Sequence, residues 1–213
     1  MKWQVEYALK NLSKDLARTK AEHIDGEVIM ITTENKPNVV AIISDAMEIN
    51  KGIVQHYINE AQEVDFICGY RKECVWEGEA IKLLQSKNIG WGSFGTLSSA
   101  ALYGNANFAE HKTYTFSNRL IHQYGIIESV NREYDRIFQV RLKNGRDIRI
   151  GMIPDYEPTA ENVRKLWERF GALDIAWNIN PNGEPTESAQ TAGKELGCNV
   201  LKTEGMKAYL QSL

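Results

Sequence analysis

The densest polar cluster in the chain is Asn178, Asn180, Asn182, Gly183 and Thr186, within the run NINPNGEPT. Asparagine amides both donate and accept, and a helix opening after Thr186 would add free N–H groups. That combination suits a phosphate, a nucleotide or a nucleic-acid backbone. Turn chemistry in Asn-Pro-Asn-Gly, with Thr186 as a helix N-cap, is the simpler account. Tyr70, Arg71 and Lys72 form a second candidate. Basic residues beside an aromatic can meet phosphate while the ring stacks a base; a solvated charged loop explains them more simply. These eight residues are the ligand-binding candidates.

No residues are assigned to catalysis. Gly90-Trp91-Gly92-Ser93-Phe94-Gly95 matches the letters of GxGxxG. The dinucleotide fingerprint also needs an acidic residue about twenty positions on, at a strand end, and the region around Glu110 has no strand pattern. A tight strand-to-helix turn accounts for the glycines. A GxSxG elbow around Ser93 fails because Trp91 replaces its first glycine. His122 is the last histidine, so no late histidine serves as a base. Cys68, Cys74 and Cys198 are neither a disulfide framework nor a CxxC pair, and no histidine cluster completes a zinc site. The expectation is no metal and no cofactor.

The elements that position these residues are legible from periodicity. Val5, Leu9, Leu12 and Leu16 recur at helical spacing. Val28–Thr32 and Val39–Ile43 read as strands joined through a Pro-containing turn. Asn50 caps a helix whose stripe is Ile53, Val54, Tyr57, Ile58 and Ala61. Val64–Cys68 reads as a buried strand, Glu77–Lys87 as a helix, Ile89–Trp91 as a strand and Phe94–Leu102 as a helix. Residues 103–124 are loosely patterned and read as a connector, with helix around 118–123. Strands then follow at 126–130, 137–142 and 147–152, with a type I′ turn expected at Asn144-Gly145. Thr159 caps a helix that ends at Gly171. Leu173–Trp177 reads as a buried strand, Thr186 caps the next helix, Asn199–Leu201 is a short strand, and Met206–Leu210 is a final helical turn.

The second half therefore repeats the order of the first. An offset of 109 positions carries Asn35 to Asn144, Asn50 to Thr159, Val54 to Val163, Asp65 to Asp174 and Ala80 to Ala189. Buried strands followed by helices call for an α/β fold with a mixed sheet covered on both faces. The expected organisation is a first repeat over 1–102, a connector over 103–124 and a second repeat over 125–213. With 25 lysines and arginines against 28 aspartates and glutamates, the net charge is −3. Hydrophobic residues at 43% exclude a disordered chain, and the balance of charge excludes a basic nucleic-acid tail. The N-terminal run MKWQVEYALKNLSKDLARTK has no apolar core of a signal peptide, and no stretch approaches the ~20 apolar residues of a membrane span. A cytoplasmic protein without membrane association is expected.

The run LDIAWNINPNGEPTESAQTAGKELGCNVLKTEGMKAYL resembles the closing part of a restriction-endonuclease-like domain of Mrr type, and VDFICGYRKECVWEGEAIKLLQSKNIGWGSFGTL has the same outline. That resemblance implies an Asp on one strand and an acidic-x-Lys motif on the next, holding Mg²⁺ between them. Here Glu34-Asn35-Lys36, with Asp25 upstream, has the letters but falls in the hairpin turn. Gln139-Val140-Arg141 and Asp147-Ile148-Arg149 put Arg at the lysine position, with Asp135 or Glu128 as the available partner. Arg stays protonated and does not substitute for that lysine. The resemblance thus implies a nuclease-like fold kept for binding, an accessory protein of nucleic-acid metabolism or of defence against foreign DNA, with nucleic acid or protein as partner. The alternatives are a small-molecule or nucleotide sensor at the strand ends and a Mg²⁺-dependent nuclease. Oligomeric state is not legible.

Overall fold

The computed structural model describes residues 1–15, 18–61 and 63–213. The chain divides into two compact units, Met1–Lys112 and Thr113–Leu213.

The first unit runs α1 (Trp3–Asp15), β1 (Thr19–Asp25), β2 (Val28–Thr33), β3 (Val39–Ser44), β4 (Glu48–Ile49), α2 (Lys51–Glu60), β5 (Phe66–Gly69), β6 (Val75–Trp76), α3 (Gly78–Ser86), β7 (Gly90–Gly92) and α4 (Phe94–Tyr103). Its sheet has the order β1-β2-β3-β5-β7. β1, β2 and β3 are antiparallel neighbours, and β5 and β7 run parallel to β3. Strand residues alternate between two apolar layers. Ile29, Ile31, Ala41 and Ile43 pack under α1 and α4, with Val5, Leu12 and Leu97. Ile42, Ile67 and Trp91 pack under α2 and α3, with Val54, Ile81 and Leu84. Leu16, the last position of the expected first stripe, lies outside the described residues.

The second unit runs α5 (Lys112–Ile121), β8 (Ile127–Tyr134), β9 (Ile137–Leu142), β10 (Asp147–Ile153), α6 (Ala160–Phe170), β11 (Ile175–Asn178), α7 (Glu187–Leu196), β12 (Asn199–Lys202) and α8 (Thr203–Ser212). Its sheet order is β8-β9-β10-β11-β12, with the same sequence of antiparallel and parallel pairs. One face carries Tyr114, Ile121, Met206 and Leu210 from α5 and α8; the other carries Val163, Leu166, Ala189 and Ala192 from α6 and α7.

The helix starts follow local chemistry. Asn50 Oδ1 accepts the Ile53 N–H at 3.0 Å, and Thr186 Oγ1 accepts the Ala189 N–H at 3.2 Å, each satisfying a donor the helix cannot. At α6, Asn162 Oδ1 reaches back to accept the Thr159 N–H at 2.8 Å.

Three local expectations change. β1 is absent from the sequence reading: its mostly exposed residues TKAEHID carry no apolar alternation. Asn144-Gly145 is not a type I′ turn, which needs positive φ at both residues. Only Gly145 has it, at +87°, and Gly145 N–H donates to Leu142 O at 2.9 Å while Leu142 N–H donates to Arg146 O at 2.8 Å. That is a longer loop with the glycine in the left-handed position beside the strand. Residues 103–124 hold the end of α4, a 3-10 turn at Ala106–Phe108 and all of α5, with the division between units at Lys112 and Thr113.

Candidate functional site

In the first unit, four elements bring polar side chains together where β2 begins and β3 ends. Glu27 precedes β2, Ser44 closes β3, Gln4 lies on α1 and Tyr57 on α2. Glu27 Oε1 accepts from Lys2 Nζ at 3.1 Å and Gln4 Nε2 at 3.0 Å. The Tyr57 hydroxyl lies 3.1 Å from Glu27 Oε2 and 2.8 Å from Ser44 Oγ. With its single proton given to the carboxylate, it accepts from the serine. Burial pushes the Tyr57 phenol up to about 12, with the Ser44 bond opposing and Glu27 adding to the rise. Lys2 also lies 3.7 Å from Asp45, and its bond to Glu27 raises its pKa. Gln4 is fully buried, and its Oε1 has no hydrogen-bond partner among the described residues.

The residues that the nuclease resemblance offered as metal ligands do not assemble around this network. β3 reads VVAIIS and carries no carboxylate or lysine. Glu34 is exposed and faces Arg18 at 3.5 Å, and Asp25 accepts the Gly26 N–H at 2.9 Å. In the second unit, Arg136 occupies the position 109 beyond Glu27, and holds the fully buried Asp135 through two bonds of 2.8 and 2.9 Å. Asp147 pairs with Arg141 at 2.9 Å, and Glu128 lies 3.9 Å from the same arginine. No group of three His, Cys, Asp or Glu among the described residues converges to hold a metal ion. All three cysteines are buried and unbridged; burial pushes the Cys68 thiol up, and Cys198 up to about 11.

The Asn178 cluster does come together, as an internally bonded turn. Asn178 Nδ2 donates to Ile153 O at 3.2 Å and Asp155 O at 2.8 Å. Asn180 Nδ2 donates to Pro154 O at 3.4 Å, and its Oδ1 accepts the Asn182 N–H at 3.1 Å. Gly183 is required by close approach, since a Cβ there would lie 2.4 Å from Tyr156 O. The Thr186 hydroxyl donates to Pro158 O at 2.8 Å while capping α7. The donors are engaged in holding the loop, while the oxygen of the buried Asn178 amide has no hydrogen-bond partner among the described residues.

Tyr70, Arg71 and Lys72 lead to a different surface. Tyr70 sits among Trp3 at 5.0 Å, Tyr7 at 5.5 Å and Phe94 at 6.3 Å, in edge-on ring contacts. Arg71 lies over the Trp3 ring at 5.7 Å and donates from Nε to Asp45 O at 3.2 Å. Trp3 is 53% and Tyr7 45% exposed. Arg71 and Lys72 are exposed, and neither is paired with a carboxylate among the described residues. Lys10 lies exposed one turn beyond Tyr7 on α1. The sequence reading missed Trp3 and Tyr7 because it counted only the buried stripe of α1; their i, i+4 spacing on its opposite face was the available signal.

In comparisons with family models, with curated proteins and with solved structures, none matches this chain. No helix among the described residues is long and apolar enough to cross a membrane.

Proposed function

We propose that the chain is a tandem duplication of a restriction-endonuclease-like unit that has lost metal-dependent cleavage. It serves as a binding or accessory subunit, acting in the cytoplasm in nucleic-acid metabolism or defence against foreign DNA. The duplication is supported by hydrogen bonds that recur at the 109-residue offset. Val40 N–H donates to Asp65 Oδ2 at 2.8 Å, and Arg149 N–H to Asp174 Oδ2 at 2.7 Å. Gly90 N–H meets Asp65 O at 2.8 Å, and Asn199 N–H meets Asp174 O at 2.9 Å. Even the irregularity in the first strand pair recurs, at His23/Asp25 and Arg132/Tyr134.

The observation that carries the binding role is the pair of exposed rings Trp3 and Tyr7 around the half-buried Tyr70, with Arg71 over Trp3. Exposed aromatic residues beside unneutralised cations suit single-stranded nucleic acid, where bases stack and phosphates pair. The net charge of −3 makes this local contact the main source of affinity, in place of a basic field over the whole molecule.

The test is fluorescence anisotropy of labelled oligonucleotides at low salt. Trp3→Ala is expected to weaken binding between about fivefold and about 150-fold, the value of one base stack. Arg71→Glu is expected to weaken it further and to reduce the salt dependence. Plasmid and single-stranded DNA are expected to stay intact with Mg²⁺ or Mn²⁺. Absence of binding at every length and strandedness would remove the nucleic-acid role, and metal-dependent cleavage would remove the non-catalytic one.

A further inference from the structure

A cleft of about 1140 Å³ opens in the first unit between the β1–β2 turn and the C-terminal end of α2. Its floor includes Val28, Val40 and Ile42, from β2 and β3. Its rim carries four carboxylates, Asp25, Glu27, Glu60 and Glu63, with Met1, His23 and Lys2 among them, Lys2 being paired to Glu27 at 3.1 Å. The nucleic-acid reading makes no use of this space, and its acidic rim repels phosphate.

The second unit has the same strands and helices around the equivalent place, and fills it with its own side chains. Positions 109 beyond Asp25, Val40 and Ala61 are Tyr134, Arg149 and Phe170. The Phe170 ring packs on Tyr134 at 5.0 Å, joining the end of α6 to the β8–β9 turn. The Arg149 guanidinium is held by Glu133 at 2.6 Å and by the carbonyls of Phe170 and Ala172 at 2.7 and 2.8 Å. Beneath them, Gly151 stands where the first unit has Ile42; a Cβ there would lie 2.7 Å from Leu166 Cδ2 and 2.8 Å from Leu173 Cδ1. One unit occupies this place with an aromatic ring and a paired cation. The other has Asp25, Val40 and Ala61 at those positions and leaves acids at the rim.

We propose that the cleft of the first unit binds a small organic cation with an apolar, ring-sized body. The body covers the half-buried Val28 and Val40 above the core residue Ile42 and gains from leaving water. The ammonium or guanidinium group meets the carboxylates at the mouth, as Arg149 meets Glu133. The volume slightly exceeds the usual range of small-molecule sites, about 300–1,000 Å³, so such a ligand fits whole. This site stands independently of the nucleic-acid reading.

The test is thermal unfolding of the full chain with four probes: phenethylamine, its neutral analogue 2-phenylethanol, the anion phenylacetate, and the ring-free cation spermidine. A ligand that binds only the folded form raises the melting temperature, by roughly 5–10 °C at about a hundredfold above Kd. Phenethylamine is expected to give a saturable rise that the other three do not match. Ala61→Phe, which installs the ring the second unit carries, is expected to abolish it. Should that variant unfold, the exposed pair Glu60→Gln with Glu63→Gln leaves the floor intact and is expected to weaken phenethylamine at least severalfold. Three results would overturn the proposal. One is no rise up to about 10 mM, where even a millimolar site is filled. Another is equal rises with phenethylamine and its two uncharged or anionic analogues. The third is a phenethylamine rise unchanged in every folded variant.

Discussion

Tyr57 joins the chemistry of the first unit to its stability. Its hydroxyl bridges Glu27 and Ser44, and burial raises its pKa to about 12. A phenol in the unfolded chain titrates near 10. The folded form therefore holds its proton longer, and the contribution is whole below pH 10 and is lost as pH rises towards 12. The urea midpoint is expected to fall through that window. Tyr114 adds to the same loss, because burial also raises its phenol. Tyr57→Phe should thus reduce the alkaline slope without abolishing it. At pH 7 it should cost about 1–2 kcal/mol, since Glu27 loses a donor and Ser44 loses a partner. A variant with unchanged midpoint and unchanged slope would show that this network does not support the fold. The same residues show what sequence alone hides. Gln4, Glu27, Ser44 and Tyr57 come from four different elements, and each is unremarkable among its neighbours. Tyr57 reads from periodicity only as part of an apolar stripe. No local spacing signals that a carboxylate will meet it.

At the scale of elements, the strand-to-helix turn at Gly90-Trp91-Gly92 shows backbone geometry selecting residue type. A Cβ at Gly90 would lie 1.9 Å from the carbonyl oxygen of Ala106 and 2.8 Å from Phe66. Gly92 has φ +147°, which side chains disfavour. Gly90 fits β7 against the turn at Ala106–Phe108, and Gly92 lies close to His111 and Thr96, where a Cβ would come within 3.0 Å of each. Gly90→Ala is expected to destabilise by about 1–3 kcal/mol or more, because its nearest neighbour is backbone and cannot rotate away. Gly95→Ala, in the first turn of α4 with its nearest neighbour 4.0 Å away, should stabilise by about 0.4–1 kcal/mol. Urea unfolding of the two variants separates them, and equal effects would refute the close-approach argument. Elements with a local signature were readable in advance: the Asn50 and Thr186 caps, the hairpin strands and the buried β5 and β11. β1 was not, because an edge strand with polar residues on both faces lacks alternation. β4 and β6, two residues each, are set by the loops they pin and are too short to show a period. The Asn178 loop was legible as turn chemistry, and its many internal bonds follow from the same donors that first suggested a ligand.

Across the whole molecule, the constant offset is the strongest regularity. α4 spans Phe94–Tyr103 and α8 spans Thr203–Ser212, both ends 109 positions apart. From the first strand to the last helix, equivalent elements of the two units keep this spacing. Loops tolerate insertions readily, so this constancy supports two copies that diverged by substitution alone. The surfaces at equivalent positions differ: Glu27 against Arg136, Trp3 against Lys112, Ala61 against Phe170. Both units keep their own five-stranded sheet and two apolar layers, and a domain of about a hundred residues can fold on such a core. Residues 1–112 and 113–213, expressed separately, are therefore each expected to unfold cooperatively in urea, with near-native circular dichroism. The second should be the more stable, since its counterpart of the cleft is packed with Phe170 and the bonded Arg149. A fragment that stays unfolded would refute independent folding, and a first unit more stable than the second would refute the energetic reading of the filled cleft. Phenethylamine adds a further contrast. If the cleft binds it, the amine should raise the midpoint of fragment 1–112 and leave that of 113–213 unchanged, tying the difference between the two units to one ligand site.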